Sequence, residues 1–203
     1  GVVVNTCLPK TAWPPTFLAS KSPIRKQMMV NADIPFEVIV SNADETPDDK
    51  KSFRSQLSEI AMRKAKTVFE GTIDEGMRLI VAADQNIVFD GKMYGKPKSI
   101  DEARKLIKSM AGSDQVFAYT GNAILLADGR EILESVNVTD IARMSVDQMS
   151  EKVLEEYLEK GEPLTKCGGI SVADTPFVHL KEGRSSTACG MTIEFMQELY
   201  KAL

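Results

Sequence analysis

Leu79-Ile80-Val81-Ala82-Ala83-Asp84-Gln85 is the stretch on which the architecture turns. Five apolar residues in succession lack the alternation of a strand wet on one face, so they predict a central strand buried on both faces. Strands of that kind occur where helices cover both sides of a sheet, which is the α/β class. The run stops at a carboxylate, and the carboxyl end of an apolar strand is where α/β enzymes place their working groups. Asp84 is therefore a candidate to orient or deprotonate a water and to share a divalent ion. On local grounds it reads nearly as well as an Asp that starts a turn ahead of Asn86.

Working outward, Thr16-Phe17-Leu18-Ala19 reads as a first strand. Ser22-Pro23 reads as a helix start, Ser as N-cap and Pro in the first helical position, with the helix running to about Ala32. Phe36-Glu37-Val38-Ile39-Val40 alternates and predicts a strand, and a polar stretch from Ser41 to Ser52 follows. Leu57, Ile60, Ala61, Ala65 and Val68 recur at helical spacing in a helix from Phe53 to about Glu70. Beyond the central strand, Asp90-Gly91 predicts a tight turn joining strands at 86–89 and 92–94. Ser99-x-x-Glu102 is a capping box opening a helix to Met110. A second hairpin, Val116 to Ala127 and Glu131 to Ala142, turns at Asp128-Gly129. Ser145-x-x-Gln148 predicts a further capped helix ending before Gly161, then a strand around Phe177 to Leu180 and a last helix from about Met191. The expectation is α/β: a single two-lobed domain over 17–203, with a mixed curved sheet and flanking helices, entered by an extended lead-in over 1–16.

Composition narrows the function classes. With 203 residues, 43% hydrophobic and 27% charged, the chain suits one substantial core or two lobes sharing a sheet. A net charge of −4 argues against a nucleic-acid polymer or a membrane surface as partner. Gly1-Val2-Val3-Val4 is apolar but short and without a basic flank, so no processed signal peptide is expected. Cys7, Cys167 and Cys189 are odd in number and far apart, as free thiols of a cytoplasmic protein would be. There is no Walker loop, GxGxxG, HExxH or CxxC, and the one histidine, His179, reads as structural or superficial. Carboxylates, lysines, arginines and hydroxyls remain, an inventory suited to phosphoryl chemistry assisted by a hard, oxygen-liganded cation.

Two further segments fit that chemistry. In Leu18-Ala19-Ser20-Lys21-Ser22-Pro23-Ile24-Arg25 a strand turns into a helix whose N-terminal dipole end attracts phosphate, with Arg25 in the first turn as a forked anion donor. Read alone, the same residues describe a plain N-cap and a solvated arginine. Gly95-Lys96-Pro97 holds a lysine between two conformationally special residues, hence aimed at something, or else part of an ordinary surface loop.

The order of the motifs favours the functional reading. Leu18-Ala19-Ser20 with Ser22-Pro23 and Arg25, Phe36-Glu37-Val38 followed by Asp44-Glu45-Thr46, Ala61-x-x-Lys64-Ala65, Ala83-Asp84 and Gly95-Lys96-Pro97 resemble the Maf-like family of nucleotide pyrophosphatases. Tyr119-Thr120-Gly121, Ala142-Arg143-Met144-Ser145, Gly161-Glu162-Pro163-Leu164 and Lys166-x-Gly168 extend the likeness from Phe17 to the C-terminus. The resemblance implies a Maf/ITPase-like fold and hydrolysis of a nucleoside triphosphate (dTTP, UTP or a modified nucleotide) to monophosphate and pyrophosphate with Mg²⁺ or Mn²⁺. Carried over by motif, Asp84 acts as base on the attacking water and shares the metal with Glu45. Lys64 and Lys96 neutralise the triphosphate, Lys96 in the catalytic group. Ser20, Arg25 and Lys166 contact substrate. As exposed lysines, Lys64 and Lys96 are expected to contribute little to folding. A homodimer and nucleotide-pool cleansing are also implied, against the alternative of a catalytically weak nucleotide-binding regulator linked to cell division.

This chain departs from the family pattern at four places. Ile24 stands where the first of two arginines is usual, and Gln85 where Thr follows the Asp. Gly168-Gly169-Ile170-Ser171-Val172-Ala173 lacks the usual Gln-Gly, and Thr187 replaces a common Asn. The resemblance is to a divergent member.

Overall fold

The structure, a computed structural model, describes residues 13–202, so the first twelve residues of the expected lead-in lie outside the described residues. In chain order come β1 (Thr16–Leu18), α1 (Pro23–Asn31), β2 (Glu37–Val38), α2 (Phe53–Gly71), β3 (Met77–Phe89), β4 (Lys92–Tyr94) and α3 (Ile100–Met110). β5 (Val116–Asp128), β6 (Glu131–Val146), α4 (Glu151–Lys160), β7 (Val178–Glu182), α5 (Ser185–Cys189) and α6 (Ile193–Ala202) complete it. This is a single α/β domain on a seven-stranded sheet ordered β2-β1-β3-β5-β6-β7, with β4 paired to β3. The sheet is mixed: β1 runs parallel to β2 and β3, whereas β3–β4 and β6–β7 are antiparallel.

The domain resolves into two compact units. Among the described residues, the first comprises residues 13–84, 121–139 and 190–202, and the second residues 85–120 and 140–189. In the first, the two-residue alternation of a strand explains how one apolar run serves two faces. Ile80 and Ala82 of β3 pack with Ala61, Ala65 and Val68 of α2. Leu79, Val81 and Ala83 pack with Met29 of α1 and with Met191 and Met196. α2 comes so close to β5 that a Cβ at Gly121 would lie 2.3 Å from the Leu57 carbonyl oxygen, which only glycine permits. In the second unit, Ala103, Ile107 and Met110 of α3 and Leu154, Tyr157 and Leu158 of α4 share a core with Ile87, Ala118 and Met144.

Most expected elements form where local chemistry specifies them. Ser22, Ser52 and Ser99 cap α1, α2 and α3, each accepting from the backbone N–H three residues on. Both hairpin turns use positive φ, with Asp90 at 52°, Gly91 at 73° and Gly129 at 58°.

Two expectations need correction. β3 does not stop at Ala83: it is one strand of 13 residues, extended straight through Asp84-Gln85-Asn86. It pairs with β1 through Leu79–Val81 and with β4 through Ile87–Phe89, and satisfying both partners keeps the polar middle extended. Asp84 is thus neither at a strand end nor in a turn. It lies three residues beyond Val81, the last β3 residue in register with β1. The capping box at Ser145 is also wrong, because Ser145 belongs to β6, in register with His179 of β7, and its buried Oγ has no partner. Strand pairing overrides the local cap signal, and α4 starts five residues later behind Ser150. α5 is a short helix that carries no periodic signal of its own in the sequence.

Candidate active site

Of the candidate residues, Ser20, Arg25, Glu45, Lys64 and Asp84 fall in the first unit, Lys96 and Lys166 in the second. In the first unit the centre is Lys64. It occupies the sheet-facing stripe of α2, one turn after Ile60 and Ala61, and is 8% exposed. Its ammonium donates to the Ala83 carbonyl at 2.8 Å, on the peptide that leads into Asp84. The Glu45 carboxylate lies 3.8 Å from the same ammonium and is 55% exposed. Asp84 is half-buried and shares the parity of Ile80 and Ala82, the β3 residues packed on α2. The expectation that Lys64 is an exposed lysine is therefore overturned, since it is buried and its ammonium bonds a β3 carbonyl.

The β1–α1 turn also forms. Ser20 is buried and its Oγ accepts from the Ser22 N–H at 3.1 Å, while the Ala19 N–H continues the sheet to Val81 O at 2.8 Å. Arg25 Nε donates to Gly190 O at 2.8 Å, tying α1 to the segment before α6. Ile24, at the position of the missing arginine, is 36% exposed.

Sequence reasoning missed Arg63. Its Nη1 donates to Asp44 O at 2.9 Å and to Thr46 O at 2.8 Å, bracketing Glu45. The Asp44 carboxyl is held below the usual carboxylate range by hydrogen bonds from the Thr46 side chain and backbone, with the Arg63 charge adding to them. An arginine beside the Lys64 motif was the available signal, and nothing local says which loop it reaches.

In the second unit, Lys96 is exposed on a loop whose flanks are fixed. Gly95 O accepts from the Gly168 N–H at 2.9 Å, and Pro97 is buried against Gly169. Gly168 has φ 65°, and a Cβ there would lie 2.7 Å from Ile87 Cγ1, so the Gly168-Gly169 turn supports the Lys96 loop only as glycine. Lys166 is engaged within its own segment: its ammonium bonds Gly161 O, lies 3.1 Å from Asp174 and sits 5.8 Å above the Tyr157 ring. His179 is superficial and pairs with Asp147 at 2.7 Å.

The departures Gln85 and Thr187 prove to be neighbours. Gln85 Nε2 donates to Thr187 O at 2.9 Å, Ala188 O at 3.0 Å and Thr120 Oγ1 at 3.1 Å. Thr120 Oγ1 itself donates to Thr187 O at 2.7 Å, and Thr187 Oγ1 to Asp140 at 2.5 Å. The longer amide thus ties α5 to β3 and β5. Only the fold brings residues so distant in sequence together.

Among the described residues no three of His, Cys, Asp and Glu converge as a preformed metal cage. A half-exposed carboxylate at Glu45 and the Asp84 carboxylate offer hard oxygen donors and few of them. That set fits a Mg²⁺- or Mn²⁺-type ion, which keeps several waters and takes the rest of its ligands from phosphate. Among the described residues no helix is long and apolar enough to cross a membrane.

Comparison with known proteins agrees with the motif order. The dTTP/UTP pyrophosphatase of Thermotoga petrophila is 32% identical over 191 residues, covering 91% of this chain and 87% of that protein. The dTTP/UTP pyrophosphatases of Bacillus cereus and Salinibacter ruber are each 29% identical, over 87% and 93% of this chain. The solved Staphylococcus aureus Ham1 protein aligns over 93% of this chain and 98% of that chain at 11% identity with a TM-score of 0.45. A family model described as Maf-like protein matches residues 15–203, and with the motif order and these relatives in agreement the chain belongs to the Maf-like family.

Proposed function

We propose that this chain hydrolyses a nucleoside triphosphate, of the dTTP or UTP class, to the monophosphate and pyrophosphate. The observation that carries the reading is the buried Lys64 ammonium on the peptide before Asp84, with the Glu45 carboxylate beside it, in a chain whose relatives are named dTTP/UTP pyrophosphatases. A buried ammonium in a site of low dielectric stabilises charge that develops on phosphate far better than a solvated one. In this reading Asp84 accepts a proton from the attacking water, whose oxygen bonds to the α-phosphorus as the bond to pyrophosphate breaks. β3 holds the Asp84 backbone, which supplies the placement a base requires. Glu45 and Asp84 would hold the divalent ion, and that ion would supply positive charge to the phosphate oxygens. Ser20 and Arg25 orient phosphate at the α1 N-terminus. The roles proposed for Lys96 and Lys166 rest on the family motif. A cytoplasmic homodimer serving nucleotide-pool cleansing is part of the same reading, and sedimentation of the purified protein checks the dimer.

The test is pyrophosphate release from a panel of nucleoside triphosphates with Mg²⁺ or Mn²⁺, by the wild type and by Asp84→Asn. Asn keeps size and hydrogen bonding but neither accepts the proton nor attracts the metal. Turnover should fall by roughly 10²–10⁴-fold, the usual scale for a positioned acid–base group, with nucleotide binding retained in calorimetry. Equal turnover by the two proteins rejects Asp84 as the base. Nucleotide binding without turnover in the wild type replaces the hydrolase with the nucleotide-binding regulator.

A further inference from the structure

We infer that Arg63 is a positioning residue for Glu45, holding that carboxylate in place as one of the protein's ligands for the divalent cation; this rests on the proposed function above. The segment between β2 and α2 has no regular secondary structure from Ile39 to Ser52. A carboxylate on such a loop loses conformational freedom on binding an ion, so its affinity depends on how far the backbone is fixed beforehand. Local turns give part of the answer: Ser41 Oγ accepts from the Ala43 N–H at 3.1 Å and Asp44 Oδ1 from the Thr46 N–H at 2.9 Å. Those bonds shape the loop but attach it to nothing.

The attachment comes from α2. Arg63 Nη1 spends its two hydrogens on Asp44 O and Thr46 O, at 2.9 and 2.8 Å, the carbonyls on either side of Glu45. One guanidinium nitrogen therefore holds the main chain of the residues on both sides of Glu45. The next residue, Lys64, sets the distance of the carboxylate itself, 3.8 Å from the ammonium. Consecutive residues of one rigid helix thus determine where Glu45 sits, Arg63 through the main chain and Lys64 through charge. Arg63 touches neither the ion nor the nucleotide in this scheme and acts only through Glu45.

The experiment is Mn²⁺ titration of full-length protein, followed by electron paramagnetic resonance in the presence of α,β-methylene-dUTP, which cannot be cleaved between those phosphates. Wild type, Arg63→Gln, Arg63→Lys and Glu45→Gln are compared, with thermal midpoints recorded for each. Arg63→Gln should weaken Mn²⁺ binding about 10–100-fold, the scale for losing a group that orients a metal ligand. Arg63→Lys, whose ammonium can still bridge two carbonyls, should recover part of the loss, and it decides the matter should the Gln variant fail to fold. Glu45→Gln should lose at least as much as Arg63→Gln. Mn²⁺ affinity within twofold of wild type in Arg63→Gln, with Glu45→Gln impaired, overturns the positioning role and leaves the proposed function standing. Undiminished affinity in Glu45→Gln overturns Glu45 as ligand, and the positioning role falls with it.

Discussion

Replacing Lys64 by Met separates chemistry from folding, because methionine fills nearly the same channel between α2 and β3 but brings no charge. On the stability side, the ammonium donates to Ala83 O at 2.8 Å, and a hydrogen bond from a charged donor contributes about 1.5–3 kcal/mol. The pairing with Glu45 adds little, about 0–1 kcal/mol, because that carboxylate is 55% exposed and stands 3.8 Å away. Against these, the variant no longer buries a cation, and the aliphatic stem packs much as before. The net loss should be about 1–2 kcal/mol, which lowers the thermal midpoint of a chain this size by roughly 2–8 °C. Turnover should fall far more, by about 10²–10³-fold, the scale for removing one preorganised donor from developing charge. The assay is pyrophosphate release at 25 °C, where the variant remains folded, alongside urea and thermal melts. A turnover loss no larger than the unfolded fraction explains would show that Lys64 only holds α2 to β3, and the catalytic reasoning would fail.

Other perturbations test the surrounding structure. Gln85→Leu removes the amide bonded to Ala188 O, Thr187 O and Thr120 Oγ1, and should cost about 1–3 kcal/mol in urea melts. A double-mutant cycle with Thr120→Val should show coupling of roughly 0.5–3 kcal/mol, and strict additivity would refute the network. Arg78 is fully buried, and its guanidinium donates to Phe69 O at 3.1 Å, Thr72 Oγ1 at 2.8 Å and Gly76 O at 3.0 Å at the end of α2. Arg78→Met should therefore destabilise by about 2–4 kcal/mol, seen as a shifted urea midpoint. Burial pushes the Tyr157 hydroxyl up to about 12 from an ordinary value of 10.0. The folded state favours the protonated phenol, so its contribution is complete below pH 10 and disappears as pH rises from 10 to about 12. Tyr157→Phe should flatten that alkaline loss, and an unchanged pH profile would assign it elsewhere.

The amino-acid sequence by itself determined the features whose causes lie within a few residues. Ser22, Ser52 and Ser99 cap helices because each side chain meets the backbone N–H three positions on. Asp90-Gly91 and Asp128-Gly129 turn hairpins because those positions need positive φ or sit beside one that does. The run Leu79–Ala83 forms a buried strand because helices cover both its faces, and the ordered motifs around it carry the family likeness. What tertiary structure decided depends on partners far along the chain. Asp84 looked like the end of a strand, yet pairing with β1 on one stretch and β4 on another draws β3 straight through it. Ser145 carries a capping signal, but register with His179 outweighs it, since strand pairing satisfies several backbone groups and a cap only one. Lys64 looked solvated because lysine usually is; 19 residues away, the Ala83 carbonyl gives its buried ammonium a partner. Arg63 finds its carbonyls 17 and 19 residues back, and Gln85 finds its own more than 100 residues ahead. A side chain's spacing tells which face it occupies, whereas the group it meets there is set by how separate segments pack.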